Sequence, residues 1–279
     1  MENQKKRQKR MAVINDFTGF GRCSLTVSIP IISQLGIQCC PVPTSVFSNH
    51  TAFPSFYFDD YTKRMPSYIR EWEKMHLAFD GIQTGFLGSW QQIRTVLDFI
   101  DTFAASGTTV LVDPVMGDNG KPYALYDEKM QNAMRRLAAK ADILTPNLTE
   151  ACILTASSYH EGNWKKNELF DLIRKLSDLG ARKTVISGIP MGSYLGNVIL
   201  EQGSEPKLLR FSRAGRERCG TGDIFSSILA ADAVNNVPFE TSVRKAASFI
   251  RRCILITEEF DTPPSEGVCF EEILHTLRR

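Results

Sequence analysis

Gly220-Thr221-Gly222-Asp223-Ile224-Phe225-Ser226-Ser227-Ile228-Leu229 sets a carboxylate at the mouth of an apolar, helix-forming run. The glycines permit a tight turn, and the first turn of a helix offers free N–H groups and a positive dipole end to an anion. A carboxylate in that position would repel a phosphate, so its presence makes sense if it is there to take a proton. The pattern points to phosphoryl transfer onto a hydroxyl. It also reads as an ordinary helix start with Thr221 or Asp223 as cap. No Gly-Lys-Ser/Thr follows, so the stretch is not a P-loop.

The 279 residues, 43% hydrophobic, can bury the core of a large α/β domain. No linker, low-complexity tract or internal repeat divides them, so residues 11–279 are expected to form one domain. The net charge of +2 hides an asymmetry, because residues 1–10 carry five Lys/Arg against Glu2. The remainder is then about −2, which gives no electrostatic case for nucleic acid. Lys5-Lys6-Arg7-Gln8-Lys9-Arg10 reads as a basic, disordered tail. No apolar stretch approaches the ~18 residues of a membrane span, and the charged N-terminus lacks the h-region of a signal peptide. Seven cysteines without CxxC spacing read as reduced thiols of a cytoplasmic protein. Cys219 has no base nearby in sequence and reads as a passive thiol.

Short β-rich runs alternate with helical periodicity, the signature of βαβ units around a parallel sheet. Strands are expected at Met11 to Asn15, Gln38 to Val46, Gly81 to Thr84, Thr109 to Val112, Ile143 to Thr145 and Lys183 to Ser187. Helices are expected at Leu25 to Leu35, Tyr61 to Met75, Gln91 to Ala105, Glu128 to Ala139 and Lys166 to Leu179. Val198 to Leu200 and Leu208 to Phe211 suggest a late antiparallel pair. Each apolar strand stops in small or polar residues, and ligands of open α/β sheets bind outside the carboxyl ends of the strands. Asn15-Asp16, Thr44-Ser45, Thr84-Gly85, Asp113-Pro114, Thr145-Pro146-Asn147 and Ser187-Gly188 are therefore expected to line one crevice with the glycine loop.

Four stretches carry candidate chemistry. Asp113 and Asp118, helped by Glu150, suit Mg²⁺, which takes one or two carboxylates together with substrate phosphates. Asp113 could equally start a turn before proline, and Glu150 could sit in the first turn of a helix. Phe47-Ser48-Asn49-His50-Thr51 would suit a small heteroaromatic ring with polar substituents, or His50 could make only a local hydrogen bond. Phe53, Phe56, Tyr57 and Phe58 read as core or interface packing that could also cover a pocket. Asn15-Asp16-Phe17-Thr18-Gly19-Phe20-Gly21 reads as a loop in which Asp16 meets a neutral or cationic substrate group, or as an Asx-type turn capping a helix from Arg22.

Taken in order, Phe47-Ser48-Asn49-His50-Thr51, Thr84-Gly85-Phe86-Leu87-Gly88-Ser89, Asp113-Pro114-Val115-Met116-Gly117, Thr145-Pro146-Asn147-Leu148 and Gly220-Thr221-Gly222-Asp223 resemble the ribokinase-like superfamily. Within it they resemble the pyridoxal/pyridoxamine kinases. The resemblance implies a three-layer fold with a central, mainly parallel sheet between helices, usually in a homodimer. It implies an ATP-dependent kinase acting on the 5′-hydroxymethyl group of a vitamin B6 vitamer, with Mg²⁺ and K⁺. Asp223 matches the general base, and Gly220, Thr221 and Gly222 match the anion hole. Asp113, Thr145, Asn147, Glu150, Ser187 and Thr221 are the implied ATP contacts, and Asp113, Asp118 and Glu150 the implied metal ligands. Asp16, Thr44, His50 and Phe86 are the implied substrate contacts.

Four departures bear on substrate and nucleotide. Asp16 stands where pyridoxal kinases usually carry serine, and Phe86 where many have tyrosine. Both leave room for a hydroxymethylpyrimidine substrate. Ser187-Gly188 stands where some members have a lysine, and Arg216-Glu217-Arg218-Cys219 precedes the glycine loop where others are more apolar. A solvated loop face is the expectation for Arg216 and Arg218, with phosphate neutralisation as the alternative. The alternatives to a vitamin B6 kinase are a hydroxymethylpyrimidine kinase and a non-catalytic vitamin-binding protein on the same fold.

Overall fold

The computed structural model describes residues 7–278. Nine strands form one sheet: β1 (Arg10–Phe20), β2 (Gln38–Asn49), β3 (Phe58–Asp60), β4 (Gly81–Thr84), β5 (Thr109–Val112), β8 (Ile143–Leu144), β9 (Lys183–Met191), β10 (Tyr194–Glu201) and β11 (Lys207–Ser212). Two further short strands, β6 (Gly117–Asp118) and β7 (Lys121–Pro122), make a separate hairpin. The sheet order is β11-β10-β9-β8-β5-β4-β1-β2-β3. The run from β2 through β9 is parallel, and only β3, β10 and β11 pair antiparallel.

Alternation along the central strands shows why the sheet is covered on both faces. Ala12 and Ile14 of β1 pack with Val110 and Val112 of β5 in one core, whereas Met11, Val13 and Leu111 belong to the other. Met11 to Ile14 and Val110 to Val112 are all buried, which suits near-continuous apolar runs and parallel pairing. On the first face lie α2 (Met65–Lys74), α3 (Trp90–Phe103), α4 (Glu128–Ala138), α5 (Leu148–Thr155) and α6 (Lys166–Ser177). The second face carries α1 (Leu25–Gln34), α7 (Thr221–Val234), α8 (Phe239–Thr257) and a 3₁₀ segment over Phe270–Arg278. This is the three-layer, ribokinase-like architecture expected from the sequence.

Two differences change the site. The stretch expected as a loop after Asn15 continues as strand to Phe20, and β2 continues to Asn49. Beyond Ile14, where pairing with β4 ends, β1 and β2 run on together as a ribbon, with the short β3 along the outer side of β2 at Ser45–Phe47. The register shifts between Asn15↔Pro43 and Phe17↔Val46, so β2 carries one extra residue there, and the consecutive Thr44 and Ser45 are both buried. Such a bulge re-aims side chains beside a site.

The expected tail is the second difference. Arg7 pairs with Asp80, Lys9 Nζ donates to the Val234 carbonyl at 2.7 Å, and Arg10 already begins β1. The basic segment thus meets the fold from Arg7 onward, and residues 1–6 lie outside the described residues.

Candidate active site

Asp223 is the third residue of α7, and the cap position falls to Gly220, not to Thr221 or Asp223. Gly220 has φ 76°, and a Cβ there would lie 1.8 Å from the Arg22 carbonyl oxygen, so only glycine fits. The Thr221 hydroxyl donates to the Arg218 carbonyl, and Gly222 stays exposed. The N-terminal N–H groups of α7 therefore remain open to an incoming anion.

A residue that the sequence marked only as a strand end holds Asp223 in place. Asn15 Nδ2 donates to Asp223 Oδ1 at 3.1 Å, while Asn15 Oδ1 accepts from the N–H groups of Asp16 and Phe86. A Cβ on Gly85 would fall 2.4 Å from Asn15 Cγ, which fixes glycine at that position too. Ser24, with φ 56° at the start of α1, faces Asp223 with its backbone and Asp16 with its side chain. A non-glycine residue held at positive φ between two carboxylates is local strain kept by its surroundings. Burial raises Asp223 to about 6, with Asp16 adding to the rise and the Ser24 backbone and the bond from Asn15 opposing it.

Asp16 is buried on the ribbon and accepts from the Thr18 hydroxyl at 2.6 Å. Its pKa rises through burial, against the lowering effect of the bond from Thr18 and of the Ser24 side chain. The helix expected from Arg22 begins at Leu25 behind Ser24, so no Asx turn at Asp16 caps it. The Thr44 hydroxyl donates to the Phe86 carbonyl at 2.9 Å, which ties the ribbon to the end of β4. Gln92, fully buried, adds a staple that no sequence signal marked: its Nε2 reaches the Thr44 carbonyl, Asp60 and Thr62.

His50 sits differently from the expectation that it contacts the ring. Nδ1 accepts from the Ala52 N–H, and Nε2 faces the Ser265 carbonyl and Cys219 Sγ, so both ring nitrogens are engaged within the protein. The ring also packs edge-near to Phe53 and against Gly21. Phe56, Tyr57 and Phe58 are exposed, not core, with Phe47 buried beneath Phe56 and Phe58. Burial, then Asp223, pushes the Cys219 thiol up to about 11, the state of a passive thiol.

Asp113 follows β5 and faces Ser226 of α7 and Thr145. Its pKa is raised by burial and then by Asp223. Glu150 belongs to a capping box on α5: its carboxylate accepts from the Asn147 and Met116 N–H groups, and Asn147 caps the helix in return. Burial and the nearby Asp113 raise its pKa. Asp118 lies exposed on the β6–β7 hairpin and accepts from the Asn119 N–H. Among the described residues no three His, Cys, Asp or Glu side chains converge closely enough to hold a metal by themselves. Asp113, Asp118 and Glu150 therefore form no all-protein cage, and Glu150 is committed to its helix cap. Ser187 joins this edge through its N–H to the Pro146 carbonyl and its bridge to Asn147.

Arg218 overturns the expected solvated loop face. Its side chain is 3% exposed, and it donates to the Thr262, Pro263 and Gly267 carbonyls and to Glu258. All seven cysteines are free. Among the described residues no helix is long and apolar enough to cross a membrane.

Comparison with known proteins places this geometry. The phosphomethylpyrimidine kinase family model matches residues 34–264. Crystal structures of a Bacteroides thetaiotaomicron protein, provisionally named a phosphomethylpyrimidine kinase, are 37% identical. One form covers 99% of this chain and 96% of that one with a TM-score of 0.95. The other, with pyridoxal, covers 98% and 96% with a TM-score of 0.93. The pyridoxal kinase of Arabidopsis thaliana is 29% identical over 71% of this chain, a match that spans 65% of that enzyme. A Leishmania donovani pyridoxal kinase, solved with ADP and ginkgotoxin, shares the fold at 20% identity and a TM-score of 0.86, covering 97% and 96% of the two chains. A glycine-capped helix with an aspartate in its first turn, on the carboxyl edge of a sheet that the family model spans almost throughout, makes this chain a member of the phosphomethylpyrimidine kinase family, a family of phosphotransferases.

Proposed function

We propose that the protein is an ATP-dependent kinase that phosphorylates the 5′-hydroxymethyl group of a vitamin B6 vitamer: pyridoxal, pyridoxamine or pyridoxine. The observation that carries this reading is the hydrogen bond from Asn15 to Asp223, which aims a carboxylate of raised pKa at the open N-terminus of α7. The pyridoxal in the Bacteroides relative supports the ring, and the ADP in the Leishmania neighbour supports the nucleotide.

Phosphoryl transfer asks a protein chiefly for alignment and charge neutralisation. In the proposed reaction the N–H groups of Gly220, Thr221 and Gly222 receive charge on the moving phosphoryl group. Asp223 accepts the alcohol proton as the oxygen attacks in line. Asp16 and the ribbon hold the ring, with Thr44 and Phe86 fixing the ribbon against β4. Thr145, Asn147 and Ser187 line the nucleotide side.

The carboxylates of Asp16, Asp113, Glu150 and Asp223 have no Lys or Arg ion-pair partner among the described residues. Uncompensated buried carboxylates fit a divalent cation that completes its shell with water and phosphate oxygens. Asp113, with Asp118 through water, would hold Mg²⁺, and the Glu150 carboxylate on its helix cap lies near it. Bound there, the ion would neutralise charge on the ATP phosphates. The Thr262, Pro263 and Gly267 carbonyls beside the glycine loop already hold the Arg218 guanidinium, so K⁺ does not fit at that point and no step runs through one. A second copy of the chain is the proposed partner, with the exposed aromatics Phe17, Phe20, Tyr57 and Phe58 on and beside the ribbon available to it. Light scattering at micromolar concentration tests that assembly.

The second reading is a hydroxymethylpyrimidine kinase, favoured by the family model. An ADP-release assay over pyridoxal, pyridoxamine, pyridoxine and hydroxymethylpyrimidine separates the two. Higher kcat/KM on a B6 vitamer is the expected result, and preference for the pyrimidine would replace the first reading. No ADP release with any of the four would point to a non-catalytic binding protein.

A further inference from the structure

The segment from Thr262 to Gly267 lies across the glycine loop and is held there by several different side chains. The Ser265 carbonyl meets His50 and Cys219, and the Glu266 carbonyl accepts from the Arg22 N–H. Gly267 packs on Arg22 and on the Cys219 carbonyl, where a Cβ would sit 2.8 Å from Arg22 Cβ. Arg218 is the central tie. Its Nη1 donates to the Thr262 carbonyl at 2.9 Å and to those of Pro263 and Gly267 at 3.4 Å, and its Nη2 reaches Glu258 at 3.1 Å.

This is unusual company for a guanidinium. Arginine normally seeks bidentate carboxylate or phosphate partners. Here three backbone carbonyl dipoles point at one terminal nitrogen, the arrangement by which proteins replace the hydration shell of a monovalent cation. The Nε–H is buried with no partner, so the head group is placed by its terminal nitrogens alone. Arg218 also stands two residues before Gly220, and its own carbonyl accepts from the Thr221 hydroxyl. A positive charge fixed there binds the strap to the loop that presents the anion-binding N–H groups.

We propose that Arg218 is a built-in monovalent cation: its guanidinium fills the carbonyl cluster beside the glycine loop, holds the 262–267 strap on that loop, and frees the protein from a requirement for K⁺. Arg218 is thus a positioning residue that acts through the glycine loop. The inference rests on the kinase reading only for its rate measurements.

The test compares K⁺, Na⁺ and tetramethylammonium chloride at constant ionic strength. In the unaltered protein the three salts should give the same ATP turnover and the same thermal midpoint. Arg218→Lys, which keeps a charge, should remain independent of the salt. Arg218→Met should lose turnover about tenfold in tetramethylammonium, the scale of one lost charge-assisted hydrogen bond. That loss should appear with a raised KM for ATP, and K⁺ should restore part of it and raise the thermal midpoint of this variant alone. Activation of the unaltered protein by K⁺ would overturn the proposal without any variant. So would an Arg218→Met protein with normal turnover and no response to K⁺. If the unaltered protein phosphorylates none of the four ring substrates, the kinase reading fails, and the midpoint comparison still decides the role of Arg218.

Discussion

Asp223 serves two opposed requirements, since burial favours its protonated form and general-base catalysis needs it ionised. With its pKa raised to about 6, kcat/KM should climb with pH along a limb centred near that value and level off above it. Asn15→Ala removes a donor to the carboxylate and should move the limb to higher pH. Asp16→Asn removes a repelling charge and should move it lower. A limb that stayed in place in both variants would detach Asp223 from the rate. Asp223→Asn should retain substrate binding while kcat falls on the order of 10²–10⁴-fold, and near-normal turnover would remove it from the mechanism. The stability consequence has the opposite sign. A carboxyl whose folded pKa is raised stabilises the fold while protonated, and that contribution fades as pH rises from about 4 through about 6. The Asn variant should therefore gain in melting temperature relative to the unaltered protein as pH rises from about 4 to about 6, with the difference level above that, as calorimetry can record.

Among the elements, those with plain periodicity were legible in the sequence and those governed by tertiary partners were not. Five of the six parallel strands begin where expected and β1 begins one residue earlier, because their β-rich runs end in polar residues. The ribbon was hidden because Asp16 to Phe20 and Phe47 to Asn49 carry the polar residues and glycine of a loop, although Gln38 to Val46 reads as a strand across Pro41 and Pro43. In the structure both prolines pair with β1, while β3 covers only Ser45 to Phe47, so the opposite side of β2 at the prolines has no partner that needs an N–H. Asp223, Asp113 and Glu150 were legible as candidates, whereas Asn15, Ser24, Gln92 and Arg218 act through neighbours distant in sequence. Glu150 shows the limit well: its spacing from Asn147 is that of a capping box, and that local role takes up its carboxylate. Asn147→Ala should cost about 1 kcal/mol from the lost cap alone, read as a lowered denaturation midpoint. Gly220→Ala meets the Arg22 carbonyl and an unfavourable φ together, and should reduce kcat on the order of 10²–10³-fold by displacing the anion-binding N–H groups. An active Gly220→Ala protein would mean that those groups do not receive the phosphoryl charge.

At the scale of the whole molecule, two cores clamp the sheet while the carboxylates gather at one of its edges. Raising the pH ionises Asp113 and Glu150 further and sharpens their repulsion, which a divalent ion with a nucleotide would relieve. Mg²⁺ and ADP at ~100 Kd should raise the thermal midpoint by roughly 5–10 °C. The rise should be larger at pH 8 than at pH 6, and an equal or smaller rise at pH 8 would argue against metal binding at these groups. The ribbon formed where β1 and β2 outrun the rest of the sheet has a consequence for divergence within the family. Asp16, Thr18, Thr44 and Phe47 stand on it, whereas the glycine loop, Asp113 and Asn147 stand on other elements. Where Asp16 and the ribbon hold the ring as proposed, substitutions there would alter which ring is accepted without rebuilding the transfer apparatus, so one ancestral phosphotransferase would pass between pyridine and pyrimidine substrates by a few changes in a single outgrowth of the sheet.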